Sequence, residues 1–183
     1  MAPMRQTTTG RRPLQSMRRG LALVLLGAAI TSARASVPEH DLKAQIVVRA
    51  LMFAQWPAHA LPPHEALVVC APDDHPMTPA IARQEGQIIN GHRLLLRRTG
   101  AGPARDCHVA LVGTAGKAAG GTQRRPGLLL VGDLPSGLGE GVMLNVQIEL
   151  GRVVFDVNLK AAREDGLDFD PRLLRLARFV QRD

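Results

Sequence analysis

From Val142 to Val157 the side chains fall into two sets that take turns along the chain. Val142, Leu144, Val146, Ile148 and Leu150 alternate with Met143, Asn145, Gln147 and Glu149, and past Gly151 the residues Val153, Phe155 and Val157 alternate with Arg152, Val154 and Asp156. Successive side chains of a strand point to opposite faces, so a period of two marks a half-exposed strand. Gly151 permits a tight reversal, and the two runs are predicted to pair as an antiparallel hairpin.

The segments before the hairpin read differently. Ala66–Cys70, His108–Val112 and Leu128–Val131 are short, continuous apolar runs, the pattern of strands buried on both faces of a parallel sheet. Glu39 to Gln55 is predicted to be a helix, with Leu42, Ile46, Ala50 and Phe53 at helical spacing and Val47 and Ala54 widening the stripe. Pro38 stands near its start and Trp56-Pro57 ends it, because proline lacks an N–H and restrains the residue before it. Thr78-Pro79 opens a second helix that Gly86 closes, Asn90-Gly91 is a turn, and His92–Arg98 a strand. Residues 114–125, rich in Ala and Gly, suggest a weak helix.

After the hairpin, Asn158 caps a short helix ended by Gly166. Asp170-Pro171 then opens a last helix predicted to bury Leu173, Leu176, Ala177 and Val180, with Arg172, Arg175 and Arg182 toward solvent. The expected fold is α/β: one compact, three-layer-like domain, a mainly parallel sheet with a C-terminal antiparallel hairpin at its edge and flanking helices.

The N-terminus carries a different message. Arg5, Arg11, Arg12, Arg18, Arg19 and Arg34 are its charged residues, and an apolar run from Leu21 to Ile30 precedes Ala33-Arg34-Ala35. A basic stretch, a short apolar stretch and small residues before a cleavage point make a secretory signal peptide over residues 1–35, leaving 36–183 as the mature domain. The apolar run is shorter than the roughly 20 residues a spanning helix needs, so no membrane insertion is expected after cleavage. The expected location is the periplasm.

Export changes the charge argument. The chain holds 23 Lys+Arg against 16 Asp+Glu, but six of those arginines and none of the acids lie in the leader. A mature protein near neutrality has no electrostatic footprint for DNA or RNA, and nucleic acid is excluded as a partner. The two cysteines, Cys70 and Cys107, both lie in the mature part. In an oxidising compartment they are expected to form one disulfide, two buried thiols being the alternative.

No constellation points to catalysis. Gly113-Thr-Ala-Gly-Lys-Ala118 has the wrong spacing for a phosphate loop and lacks its Ser/Thr. Asp73-Asp74-His75 offers metal-ligand types without a completing partner. Cys107 and His108, as strand neighbours, point to opposite faces, and a nucleophile would need His64, His75 or His92 brought to it. Ser136 lacks the first glycine of a nucleophile elbow. No cofactor, metal or catalytic residue is expected.

The C-terminal third reads Gly151-Arg-Val-Val-Phe155-Asp-Val-Asn158-Leu-Lys-Ala161-Ala162-Arg-Glu-Asp-Gly166-Leu-Asp-Phe169, followed by Leu173-Leu174-Arg175-Leu176-Ala177. This block resembles the ending of the YfiR family of periplasmic regulators. Phe53-Ala-Gln-Trp56-Pro57, the cysteine-bearing Leu67–Cys70 and Cys107–Val109, Leu128–Asp133 and Gly141–Asn145 agree with that family in order, so the resemblance spans about residues 40–180. Ala71-Pro72-Asp73 departs from the glycine common after the first cysteine strand, and a second cysteine pair is missing.

The resemblance implies a non-catalytic periplasmic inhibitor. Such a protein docks onto the periplasmic part of an inner-membrane diguanylate cyclase, lowering cyclic-di-GMP and biofilm formation. An outer-membrane, peptidoglycan-associated lipoprotein sequesters it, and it is expected to be a homodimer. Only differential affinity for two cyclase states is required. The docking surface is placed in the C-terminal block at Phe169, Arg175 and Phe155, with a core position the alternative for the two aromatics. The rival reading is a periplasmic small-molecule-binding sensor module, because α/β sheets form ligand crevices at strand carboxyl ends.

Overall fold

The structure is a computed structural model that describes residues 37–99, 106–113, 124–135 and 137–183. The leader, Ser136, most of the glycine-rich segment from Gly113 and the weak helix expected over 114–125 fall wholly or largely outside the described residues. Residues 36–183 form one unit.

In chain order the elements are α1 (Glu39–Leu51), β1 (Ala54–Gln55), β2 (Leu67–Pro72), α2 (Thr78–Ala82), β3 (Ile88–Ile89), β4 (His92–Thr99), β5 (Val109–Val112), β6 (Leu129–Gly132), β7 (Leu144–Glu149), β8 (Arg152–Asn158), α3 (Leu159–Glu164), β9 (Asp168–Phe169), α4 (Pro171–Leu174) and β10 (Phe179–Gln181). Eight strands make one sheet in the order β10-β8-β7-β6-β5-β2-β4-β3. The β4/β2, β2/β5, β5/β6, β6/β7 and β8/β10 pairs are parallel; β7/β8 and β3/β4 are antiparallel. The fold is therefore mixed α/β on a mainly parallel sheet, as expected.

The continuous apolar runs have the predicted physical cause. Val69 and Ala71 of β2 and Val109 and Leu111 of β5 join one apolar cluster with Val47 and Leu51 of α1. Their neighbours Cys70, Ala110 and Val112 join a second cluster with Leu130 and Val142. Both faces of the central strands are buried, so alternation is absent there. In β7 and β8 it survives: Leu144 pairs with Val157 and Val146 with Phe155 toward the main core, while Asn145 pairs with Asp156 on the other face.

Two reversals share one geometry. Asn90 and Gly91 have φ of 51° and 86°, and Leu150 and Gly151 have 49° and 74°. Positive φ at both central residues is the type I′ turn, whose twist matches the strands it joins.

Four expectations need correction. The hairpin is not at the sheet edge, because β10 adds in parallel beside β8, with Phe179 opposite Asp156 and Gln181 opposite Asn158. The last helix is the short α4, so Leu173 is buried as predicted but Leu176 is 71% exposed. Helix α1 ends at Leu51 instead of Gln55, because tertiary pairing captures Ala54–Gln55 against β9 and the Asn90 side chain donates to the Met52 carbonyl at 2.9 Å. Its buried apolar residues are Ala44, Val47, Val48, Ala50 and Leu51, so Val47 and Ala50 are buried as predicted while Leu42 and Ile46 are only half-buried. Lys43 is drawn inward with the buried residues, donating to the Asp133 carboxylate at 2.8 Å. Helix α2 is also shorter than predicted: Thr78 lies inside it and donates from Oγ1 to the Pro72 carbonyl, 2.7 Å away.

Candidate functional site

The C-terminal block is built from β8 onward. Asn158 ends β8 and caps α3, its Oδ1 accepting from the Ala161 N–H at 2.9 Å. Such a cap satisfies a helix N–H that would otherwise lack a partner. Gly166, with φ of +78°, ends α3 in the left-handed conformation that glycine adopts without strain. The chain then enters β9, where Phe169 pairs with Ala54 and Asp168 with Gln55. The Asp170 N–H donates to the Phe53 carbonyl at 2.9 Å, completing the attachment to the segment that follows α1.

Asp170 caps α4 as predicted, accepting from the Arg172 N–H at 2.7 Å, with Pro171 in the first turn. The Arg172 guanidinium also grips the same carboxylate at 3.0 and 2.8 Å. The guanidinium first, and then the backbone N–H, hold the Asp170 carboxyl down to about 2. Arg172 also stacks over Phe53, 5.4 Å from the ring centroid. Beyond α4, Arg178 donates to Asp156 at 2.9 Å and to Gln147 at 2.8 Å, anchoring the start of β10.

These elements enclose a surface cleft of about 370 Å³. Arg163, Arg175 and Arg182 contribute its basic groups, Asp168 its acid, and Phe169 and Leu174 part of its apolar lining. Arg163 reaches Asp168 at 3.4 Å. Among the described residues the Arg175 and Arg182 guanidinium groups have no hydrogen-bond or ion-pair partner. The arrangement offers positive charge beside an apolar lining, suited to holding an acidic or amphipathic partner.

Of the residues nominated for docking, Phe169 and Arg175 line this cleft and Phe155 does not. Phe169 is only 3% exposed and Phe155 9%, and both belong to the main core. Their burial fits the core position that the sequence left as the alternative for both aromatics. Arg175 is exposed at the cleft, as the docking role requires. The apolar surface of this block lies at residues not nominated, Leu176 and Phe179, the latter 55% exposed. The signal for them was slight: a four-residue helix followed by Phe-Val-Gln is hard to distinguish from one longer helix.

Cys70 on β2 and Cys107, two residues before β5, form a disulfide with Cα atoms 5.8 Å apart and a sequence separation of 37. Closing a loop of that size stabilises by about 3–4 kcal/mol in the chain-entropy model. The disulfide also removes both thiols from nucleophilic chemistry. His108 is turned to backbone partners, and His75 likewise. Asp73 faces Arg98 at 3.7 Å. Among the described residues no group of three or more His, Cys, Asp or Glu could hold a metal ion. No helix among them is long and apolar enough to cross a membrane.

No curated protein matches this chain in sequence. A family model does match, over residues 40–178, from the second residue of α1 to the arginine that opens β10. The matched span takes in Trp56-Pro57 after β1, the cysteines on β2 and ahead of β5, and the capped α3 and α4. The chain belongs to the YfiR/HmsC-like family.

Proposed function

We propose that this chain is a non-catalytic periplasmic regulator that binds the periplasmic part of a membrane diguanylate cyclase and holds its output low. The family supports a periplasmic regulator of diguanylate cyclase, a class of regulators and not of catalysts. The inhibitory direction, cleavage of a leader after Ala35, release by an outer-membrane lipoprotein and a homodimeric state belong to this proposal. Inhibition at a distance needs only that the regulator bind the inactive cyclase more tightly than the active one.

The observation that carries the docking reading is the C-terminal cleft. Arg175 makes no ion pair there among the described residues and stands beside exposed Leu176, and a partner carboxylate with an adjacent apolar side chain would satisfy both. Deleting the gene should raise cellular cyclic-di-GMP. Re-expressing the wild-type chain should lower it again, and Arg175→Glu should not. Unchanged cyclic-di-GMP on deletion would overturn the inhibitory reading.

The same cleft favours a second reading, a small-molecule-binding sensor, since about 370 Å³ suits a compact anionic ligand. Thermal-shift screening with small carboxylates separates the two: a rise in melting temperature abolished by Arg175→Glu, with cyclase binding intact, selects the sensor.

A further inference from the structure

The central sheet is thinly laddered at the joint where the strand order switches direction. From β2 the chain goes outward to β3 and β4, then returns across β2 to β5, so the β2/β5 seam divides the sheet. Its register consists of Val69 opposite Val109 and Cys70 opposite Ala110, as short as the two pairs between β6 and β7 and shorter than the six between β2 and β4 or the four between β5 and β6. Beyond those pairs the His108 backbone N–H donates to the Val68 carbonyl at 2.9 Å, and at each end of the seam a buried histidine side chain adds further bonds.

At the lower end, just before β5, His108 is 8% exposed. Its Nδ1 accepts from the Val68 N–H of β2 at 3.0 Å, and its Nε2 lies 3.1 Å from the Ala60 carbonyl. At the upper end, just past β2, His75 is 3% exposed. Its Nδ1 accepts from the Met77 N–H at 3.2 Å, and its Nε2 lies 3.3 Å from the Val112 carbonyl that ends β5. A backbone N–H can only donate and a carbonyl can only accept. Both rings are therefore fixed as the neutral tautomer with the proton on Nε2. A proton added at Nδ1 would face an N–H donor, and the bond would have to break.

We propose that the β2/β5 seam is an acid-sensitive joint, held closed by the neutral forms of His75 and His108 while the Cys70–Cys107 disulfide tethers its two sides. Acid would break the Val68 N–H bond to His108 at one end and the Met77 N–H bond to His75 at the other, while each Nε2–H keeps its carbonyl acceptor. A protein exposed to the medium outside the inner membrane would thus carry a response to external acidity that requires no ligand.

The surroundings of the two rings decide the sign. Around His75 the charged or titratable groups among the described residues are Asp133, already engaged by Lys43, together with Asp74 and His40. Around His108 they are Glu65, Arg125 and His92, with His59 and Asp106 lining the same cavity. Burial outweighs the neighbouring carboxylates and carbonyls, and both imidazoles sit below the ordinary histidine value. The unfolded chain then binds more protons than the native one, so stability present above about pH 6.5 is lost as pH falls through the native values.

The test uses the oxidised mature protein, taken from about pH 7.5 to about pH 5. NMR follows the two ring signals, and hydrogen exchange follows the Val68 and Met77 amides. The rings should keep their neutral signature while the native state persists. After correction for intrinsic chemistry, both amides should exchange about tenfold faster at the acid end, relative to Val131 in β6. Protonation of both rings with exchange at Val68 and Met77 unchanged would overturn the proposal. A His75→Gln, His108→Gln double variant supplies a second arm, because the amide still donates and accepts but does not titrate. Its urea midpoint should lose most of the wild-type acid dependence, and an undiminished dependence would overturn the proposal equally.

Discussion

Arg178 and Asp156 lock the last strand to the hairpin: the guanidinium Nε donates to Oδ1 of Asp156 at 2.9 Å, and the Arg178 backbone N–H donates to the Phe155 carbonyl at 2.8 Å. The carboxylate is buried and the guanidinium extends on to Gln147. Asp156 keeps Arg178 charged well above the ordinary arginine range.

Removing that guanidinium leaves a buried carboxylate without its partner, which costs more than the pair contributed. Arg178→Ala should release β10 from β8. Limited proteolysis should then cut between Leu176 and Gln181 in the variant while the wild type resists. Equal resistance would mean that the backbone ladder alone holds the strand.

Phe169 lies in the core, so its truncation should act on stability. Phe169→Ala is expected to cost about 3–5 kcal/mol, read from urea unfolding, by loss of apolar contact and the cavity left behind. Any loss of partner binding in that variant should follow the unfolded fraction. Arg175→Glu should leave the urea midpoint near that of the wild type.

Leu150 occupies the first central position of the β7–β8 turn at φ of 49°, with 97% of its surface exposed. A leucine there is strained by its own backbone and gains nothing from packing. Leu150→Asn should therefore stabilise the protein by about 0.5–1 kcal/mol in urea unfolding, since asparagine tolerates the left-handed region. A destabilised variant would contradict this reading of the turn.

The sequence was readable where local chemistry and tertiary demand agree. The alternation from Val142 to Val157 fixes the hairpin because one face is buried and the other polar. Asn158 and Gly166 bracket α3, and Asp170-Pro171 opens α4, because each residue supplies the backbone geometry its place requires. Legibility fails where a distant partner decides. Ala54–Gln55 continues a helical pattern, but β9 offers it a strand partner. Lys43 looks like a solvent-face residue until Asp133, ninety positions away, accepts its proton bond inside the fold. Likewise Phe179 reads as helical until Asp156 and Phe155 fix Arg178 beside it. The candidate site shares this limit: Arg175 was legible as exposed, while Leu176 and Phe179 became surface only because α4 is short.

The docking claim is tested most directly by titration calorimetry of the mature protein against the isolated periplasmic domain of the cyclase. The Arg175→Glu, Leu176→Asp variant, both of whose side chains are exposed, should melt like the wild type and bind at least about tenfold more weakly. Unchanged affinity in a variant that melts normally would show that the regulator engages its target through another face.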